Sequence, residues 1–271
     1  MAEAWERSLV VFPDPEALCE QVAGRFLAVL REHLASQETV TVALTGGSMG
    51  IGVLAATQRH PERDSVDWGR VQVWWGDERW VAEGHADRND AQARDALLNA
   101  LPLRPEHVHP FPASDAGLSL DEAAAAATAE LAQHAAEGQS WPIFDLVFLG
   151  VGPDGHIASL FPGRAEVAER QAPVLAIRNS PKPPAERLTL TRPVINSAKR
   201  VWLVLAGAEK ASVLGLALAG AQYGEVPAAG AKGRQETIFF ADAAAASEVP
   251  ESLGRPGDEF HALHRPVLDE E

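Results

Sequence analysis

Two side chains that could carry out acid–base chemistry, Asp154 and His156, lie two positions apart in the stretch GVGPDGH at residues 150–156. A carboxylate that accepts a hydrogen bond from an imidazole fixes its tautomer and raises its basicity, so the pair suits a general base. The glycines around the pair permit positive φ angles and the close approach of a ligand. Spacing alone is equally compatible with two side chains that merely close a loop.

A second charged cluster, Asp77 and Arg79, lies in the stretch WWGDERW at residues 74–80. An exposed Asp–Arg pair would contribute little, but the flanking tryptophans favour a partly buried site. Arg187 and Lys210 belong to two further segments, each near a predicted strand. Either cation could neutralise a phosphate group or an oxyanion.

A candidate anion site, TGGS, comprises Thr45, Gly46, Gly47 and Ser48 and stands between a predicted strand and a predicted helix. Backbone N–H groups at such a helix N-terminus bind anions, phosphate above all. The Gly-Lys-Ser/Thr of a nucleotide P-loop does not follow. We therefore expect a phosphate group on a small metabolite, with a simple tight turn as the alternative.

Two glycine motifs suggest other functions. Residues 150–155 match the dinucleotide pattern GxGxxG, but the next predicted strand ends in Arg178 and Asn179 instead of an acidic residue. Residues 46–50, GGSMG, match the GxSxG pattern of serine hydrolases, and Ser48, Asp154 and His156 occur in the hydrolase order. The acid and base of such hydrolases usually come from different loops, whereas Asp154 and His156 share one, so the serine esterase is kept only as an alternative.

Alternating strands and helices must position these groups. Apolar, β-branched segments predict strands at residues 8–12, 39–44, 71–75, 108–111, 144–149, 174–177, 187–190, 200–205 and 237–240. Helices are predicted at residues 15–34, 49–57, 89–99, 120–137 and 208–218, the fourth with a capping box of Ser119 and Glu122. This alternation predicts an α/β fold, a Rossmann-like three-layer α/β/α architecture with a mostly parallel central sheet. Because ligands bind at the carboxyl ends of such strands, the motifs above stand where a site is expected.

The predicted organisation is a single catalytic domain over residues 1–241, followed by a weakly structured C-terminal tail over residues 242–271. The alanine run, the prolines and the acidic end of residues 242–271 suggest the tail. The chain of 271 residues is long enough for one large α/β domain.

Composition excludes several classes of partner. With 23 basic and 38 acidic residues, the formal net charge of −15 argues against nucleic acid or an anionic membrane. The single cysteine, Cys19, excludes an internal disulfide and favours a reducing, cytoplasmic compartment. No segment has the pattern of a signal peptide or a membrane span. We expect a monomer or small homo-oligomer that acts on a small molecule.

Taken together, the ordered motifs resemble the glucosamine-6-phosphate isomerase/6-phosphogluconolactonase family over most of the chain. The motifs are ALTGGS at 43–48, WWGDERWV at 74–81, NDAQAR at 89–94, FLGVGPDGHIASLFPG at 148–163, SPKPPAERLTLT at 180–191 and LAGAEKASVL at 205–214. The resemblance implies a carboxylic ester hydrolase that converts 6-phospho-D-glucono-1,5-lactone to 6-phosphogluconate in the oxidative pentose phosphate pathway. It also implies that the reaction needs no cofactor and no catalytic metal.

The resemblance further implies roles for individual residues. His156, oriented by Asp154, would act near the lactone carbonyl, and Arg79 would bind or polarise the substrate. Asp77 stands where the deaminase branch has an aspartate that moves a proton. The expected phosphate ligands are Thr45, Gly46, Gly47, Ser48, Arg187 and Lys210.

One departure separates the two branches of this family. The deaminase branch resembles GxGxDGHIAFNEP, with a glutamate five positions after the histidine, and this chain has Phe161 there. The departure favours the lactonase, with the deaminase-like isomerase as an alternative. A protein that binds a sugar phosphate without turnover is a third hypothesis, which the net charge and the lack of a DNA-binding segment disfavour.

Overall fold

Seven parallel strands form the central sheet of this computed structural model, which describes residues 7–250 and 253–256. In chain order, the strands of the molecule are β1 (Arg7–Phe12), β2 (Val40–Leu44), β3 (Val71–Trp75), β4 (Asp77–Arg79), β5 (Leu146–Gly150), β6 (Val174–Ile177), β7 (Arg187–Leu190), β8 (Arg200–Leu205), β9 (Glu236–Asp242) and β10 (Gly254–Pro256). The central sheet has the order β10-β1-β9-β8-β5-β2-β3. At its centre, Val147 of β5 pairs with Ala43 of β2 and Val201 of β8.

Helices pack around this sheet in the predicted three-layer α/β architecture. They are α1 (Pro15–Leu34), α2 (Gly47–Arg59), α3 (Asn89–Ala96), α4 (Leu120–Gln133), α5 (Arg192–Ser197) and α6 (Ala211–Leu218). Asp14 caps α1 by accepting a hydrogen bond from the Ala17 backbone at 2.8 Å. The capping box predicted for α4 is present. The α/β class and the mostly parallel sheet are thus confirmed.

A smaller antiparallel sheet, ordered β4-β7-β6, lies beside the central one. Residues 77–79, which belong to none of the strands predicted from the sequence, form β4, which pairs with β7. The pairing sets Arg79 opposite Arg187 and Asp77 opposite Thr189. Three polar residues are too few to show the alternation of a strand, so only the partner strand reveals β4.

The strand predicted at residues 108–111 does not form. Val108 makes only an isolated bridge to Val73. Pro110 and Pro112 flank Phe111 and cannot donate to a strand ladder, which explains the interruption.

Part of the predicted C-terminal tail is structured. Asp242 ends β9, Ala245 is fully buried, and β10 pairs with β1. Residues 251, 252 and 257–271 lie outside the described residues. Within the part that the structure describes, the chain after residue 241 therefore continues the fold. No helix in that same part is long and apolar enough to span a bilayer.

Candidate active site

A cavity of about 310 Å³ opens at the carboxyl ends of β2, β5 and β8. The chain passes from β2 outward to β3 and then returns to β5 on the other side of β2, so strand order reverses between β2 and β5. Ligands of open α/β sheets bind at such a reversal. All of the residues predicted for the site line this cavity except Asp154, which contacts it through His156.

His156 and Asp154 form a close acid–base pair at the cavity wall. Asp154 Oδ1 lies 2.5 Å from His156 Nδ1, and the His156 side chain is only 15% exposed. Burial alone would raise the pKa of Asp154, but the hydrogen bond and charge of His156 outweigh it and lower that pKa to about 2. A carboxylate that stays ionised holds the proton on Nδ1 and leaves Nε2 as the basic nitrogen.

The loop backbone makes this pair possible. The Gly152 N–H donates to the His156 carbonyl at 2.9 Å, and the Gly155 N–H donates to the Gly152 carbonyl at 2.9 Å. A Cβ added at residue 152 would lie 2.0 Å from His156 Nδ1 and 2.4 Å from Asp154 Oδ1. Gly155 has a φ of +82°, which side chains rarely adopt. The glycines therefore permit the pair itself as well as the turn.

Asp77 lines the cavity, is largely buried and organises its neighbours. Its Oδ2 accepts a hydrogen bond from Ser159 Oγ at 2.7 Å and lies 4.0 Å from Arg187 Nη1. Its backbone oxygen accepts from Asn89 Nδ2 at 2.8 Å. These contacts connect β4, β7, α3 and the loop after His156 at one point.

Glu78 joins β4 to the start of α3. Its buried carboxylate accepts hydrogen bonds from the backbone N–H groups of Arg79 at 2.7 Å, Asn89 at 2.7 Å and Asp90 at 3.0 Å. Burial raises the pKa of Glu78 to about 7, although the charge of Arg88 and these backbone donors oppose the rise. Glu78 thereby caps α3 from another element and fixes the two segments that carry Arg79 and Asn89.

Arg79 reaches the cavity from β4. Its Nη1 donates to the Asp87 carbonyl at 2.7 Å, which anchors one side of the guanidinium. Its Nε is buried and has no hydrogen-bond partner within the described residues. A donor of this kind is suited to an anionic oxygen in the cavity.

Arg187 holds the segment that forms one cavity wall. Its guanidinium donates to the carbonyls of Lys182 at 3.1 Å, Pro183 at 3.0 Å and Pro184 at 3.2 Å. Burial lowers the pKa of Arg187, and the charge of Asp77 opposes that change. Arg187 is therefore both a cation at the cavity and a support for Lys182.

The segment after β2 has the geometry of an anion site. α2 starts at Gly47, which has a φ of +77°, and no side chain caps its N-terminus. The first N–H groups of a helix have no partner inside the helix. Thr45 Oγ1 accepts from the Gly150 N–H at 3.1 Å and ties this segment to β5.

The serine hydrolase elbow is not formed. Ser48 lies inside α2 and does not have the positive φ of a strained turn, which among the described non-glycine residues occurs at Ala158 and Asn179. No hydrogen bond in the described ranges joins Ser48 to His156. The match of residues 46–50 to the GxSxG pattern therefore reflects the sequence at the start of α2.

Lys210 lies at the cavity on the short helical turn Ala208–Lys210 that precedes α6. Burial lowers the pKa of Lys210, the charge of Glu209 raises it, and the nearby charge of Lys182 lowers it. The cations that converge on the cavity are Arg79, Lys182, Arg187 and Lys210. In a chain of net charge −15, this convergence marks a locally basic site for an anion.

Sequence reasoning assigned no site role to Asn89, Lys182, Ser159 or Glu78. Asn89 and Lys182 stand inside the motifs NDAQAR and SPKPP, which were the available signals for them. Ser159 and Glu78 also stand inside quoted motifs, but their roles arise from contacts with other elements, which the linear sequence does not show. Across the described ranges, no group of three or more His, Cys, Asp and Glu side chains could hold a metal ion.

Phe161 occupies the position that separates the two branches of the family. Its buried ring lies 4.6 Å from the His156 ring, centroid to centroid. The Arg187 guanidinium lies 5.7 Å from the centre of the same ring. An apolar ring thus packs against the imidazole.

Known proteins agree with this architecture and with these motifs. The family model described as glucosamine-6-phosphate isomerases/6-phosphogluconolactonase matches residues 13–240. A 6-phosphogluconolactonase of Streptomyces coelicolor is 46% identical over 256 residues, covering 92% of this chain and 97% of the relative. One of Mycobacterium tuberculosis is 41% identical over 245 residues, covering 90% and 98%.

Among solved structures, the 6-phosphogluconolactonase from Trypanosoma brucei matches with a TM-score of 0.80 at 25% identity, covering 91% of this chain and 100% of that chain. The match in sequence extends through every segment that lines the cavity. The fold is that of the same group. This chain therefore belongs to the glucosamine-6-phosphate isomerase/6-phosphogluconolactonase family.

Proposed function

We propose that this protein hydrolyses 6-phospho-D-glucono-1,5-lactone to 6-phosphogluconate in the oxidative pentose phosphate pathway. The observation that carries the proposal is the Asp154–His156 pair at the wall of a cavity lined by four cationic side chains. The pair supplies a base for water, and the cations suit a phosphorylated substrate. Relatives at 40% identity and above with the name 6-phosphogluconolactonase support the same activity.

His156 acts as the general base. With its Nδ1 hydrogen-bonded to Asp154, its Nε2 takes a proton from water as the water oxygen attacks the C1 carbonyl. The resulting imidazolium then donates that proton to the ring oxygen as the C1–O bond breaks. The products are a hydroxyl group and a carboxylic acid, which ionises to the carboxylate by releasing its proton to solvent, and His156 returns to its neutral form. Base catalysis of this kind contributes roughly 10² to 10⁴-fold.

Arg79 stabilises the oxyanion that develops on the carbonyl oxygen. Its Nε is the buried donor that lacks a partner within the described residues, and β4 fixes it at the cavity. A preorganised donor at a developing oxyanion contributes on the order of 3 kcal/mol. Asp77 supports this arrangement through its buried contacts with Asn89 and Ser159 and its position near Arg187.

The phosphate group binds at the N-terminus of α2. Thr45, Gly46, Gly47 and Ser48 present this end of the helix to the cavity, and Arg187 and Lys210 add positive charge. Lys182, which Arg187 positions, adds a further cation. Two features, the helix dipole and these side chains, therefore select for a phosphorylated lactone.

The alternative deaminase-like isomerisation needs a carboxylate that this site lacks at residue 161, where the Phe161 ring packs on His156. The serine esterase alternative is disfavoured because Ser48 is part of α2 and not of a strained elbow.

The single cysteine, Cys19, supports a cytoplasmic location for the protein. We also propose that the protein is a monomer or a small homo-oligomer. Light scattering of the purified protein would determine its oligomeric state.

A comparison of two lactones tests the proposal. The initial rate is measured on freshly made 6-phosphogluconolactone and on unphosphorylated gluconolactone, and the spontaneous hydrolysis of each is subtracted. We expect kcat/KM to be at least about 100-fold higher for the phosphorylated lactone, since charged hydrogen bonds each contribute about 1.5–3 kcal/mol. Equal kcat/KM values for the two lactones would contradict the proposed phosphate site. The absence of enzymatic hydrolysis of either lactone would refute the proposed function.

A further inference from the structure

The carbonyl oxygen of the Asn89 side chain is an unused acceptor inside the cavity. Asn89 is 1% exposed and lines the cavity, yet its Oδ1 has no hydrogen-bond partner anywhere in residues 7–250 and 253–256. Buried polar atoms are nearly always hydrogen-bonded, because leaving one unpaired costs free energy. An acceptor left open at this position therefore requires an explanation.

The contacts of the Asn89 amide fix which atom is the oxygen. Nδ2 donates to the Asp77 carbonyl at 2.8 Å and to Asp77 Oδ1 at 3.3 Å. Turning the amide over would set Oδ1 against these two oxygens, so the present orientation is the stable one. The Asn89 backbone is held equally firmly, because its N–H donates to Glu78 Oε1 at 2.7 Å.

The surroundings of Oδ1 offer it no donor from the protein. It lies over Gly46 so closely that a Cβ added there would be 1.8 Å away. This glycine belongs to the segment that we propose to bind phosphate, so Oδ1 stands between that segment and β4. Because Asn89 lines the cavity, the cavity is the nearest space in which a ligand donor could approach Oδ1.

We infer that Asn89 is a substrate-binding residue whose Oδ1 accepts a hydrogen bond from a ring hydroxyl of the sugar lactone, an inference that rests on the proposed function. The cations and the α2 N-terminus are donors, and they suit the phosphate and the carbonyl. The hydroxyl groups of the lactone need acceptors instead. Of the side-chain acceptors in the lining, Asp77 Oδ2 is engaged with Ser159 Oγ and Glu209 carries a carboxylate, whereas Asn89 Oδ1 is the buried acceptor without a partner among the described residues.

A substrate series tests this role. The value of kcat/KM is measured for 6-phosphogluconolactone and for its 2-deoxy, 3-deoxy and 4-deoxy analogues, with the wild type, Asn89→Ala and the control Gln92→Ala. Gln92 lies on the same helix but does not line the cavity. We expect one deoxy analogue to be about tenfold poorer for the wild type and the control, whereas Asn89→Ala treats that analogue and the parent alike.

Two results would overturn the inference. One is a wild type whose kcat/KM for every analogue is within about twofold of its kcat/KM for the parent lactone. A twofold difference is less than one hydrogen bond contributes. This result needs no variant. The other is a penalty for the deoxy analogue that is undiminished in Asn89→Ala, or in Asn89→Leu if the alanine variant does not fold. Failure of the proposed function is distinct, since the wild type would then not accelerate hydrolysis of the parent lactone at all, and the inference would fall with it.

Discussion

Gly152 shows how a single residue without a side chain can make room for the proposed catalytic pair. The ring of His156 and the carboxylate of Asp154 occupy the space that a Cβ at residue 152 would need. Glycine is needed at residue 152 because the two side chains fill the space of a Cβ, and not because of the backbone φ angle. The same reasoning applies to Gly46, whose missing Cβ leaves room for the Asn89 amide.

The substitution Gly152→Ala should lower kcat by at least about tenfold, because a methyl group 2.0 Å from His156 Nδ1 must displace the imidazole from Asp154. Thermal unfolding should change far less than the activity, since the clash is local. The measurement is steady-state turnover of 6-phosphogluconolactone.

A suitable control is Gly215→Ala, on α6, where an added Cβ meets no atom within 4 Å. That variant should keep its turnover and gain up to about 1 kcal/mol of stability, because alanine favours a helix interior. Unchanged turnover in Gly152→Ala would mean that the pair is not required in its present geometry.

At the scale of elements, the smaller sheet and α3 are joined by buried polar contacts. Glu78 accepts hydrogen bonds from the backbones of β4 and of the first turn of α3. Burial raises the pKa of this carboxylate to about 7, so the link titrates near neutrality. The junction should therefore respond to pH.

Because burial raises the pKa of Glu78 from 4.5 to about 7, the folded protein holds a proton that the unfolded chain releases. Its contribution to stability is present in full below pH 4.5 and is lost as the pH rises through about 7. Between pH 5 and pH 8 the free energy of unfolding should thus fall more in the wild type than in Glu78→Gln, by on the order of 3 kcal/mol.

Urea denaturation at both pH values measures this difference. The exposed Glu83→Gln, in the loop after β4, is the matched control and should follow the wild type. A Glu78→Gln variant whose stability changes with pH as much as the wild type would show that Glu78 remains ionised throughout.

At the scale of the whole molecule, the chain after residue 241 supports the site from a distance. The buried Asp242 accepts hydrogen bonds from the backbones of Gly207 at 3.0 Å and Ala245 at 2.8 Å. The Gly207 carbonyl in turn accepts from the Lys210 N–H at 3.0 Å. The end of β9 thus holds the turn that carries Lys210, and the proposed catalytic domain of residues 1–241 would lack this support.

Two shortened chains test that boundary. A chain ending at residue 250 should retain turnover on the lactone, because it keeps Asp242 and Ala245. A chain ending at residue 241 should lose roughly 1–3 kcal/mol of stability through the unpaired backbone groups and bind the lactone more weakly. Full binding and stability in the shorter chain would instead support a domain that is complete at residue 241.

Much of this arrangement could be predicted from the sequence where the cause is local. The parallel sheet follows from apolar segments that alternate with helices, and the site segments were found from glycines at strand ends. β4 could not be predicted, because its three residues become a strand only by pairing with β7. The contributions of Asn89, Ser159 and Glu78 depend on buried contacts across distant segments, which no linear spacing reveals.

The central claim is that His156, held by Asp154, is the general base for lactone hydrolysis. It is tested most directly by kcat on fresh 6-phosphogluconolactone for the wild type, His156→Ala and the control His60→Ala, which lies outside the cavity lining, with spontaneous hydrolysis subtracted. The account predicts a fall in kcat of about 10² to 10⁴-fold for His156→Ala with little change in KM, and none for His60→Ala. A His156→Ala variant that retains near wild-type kcat would contradict it.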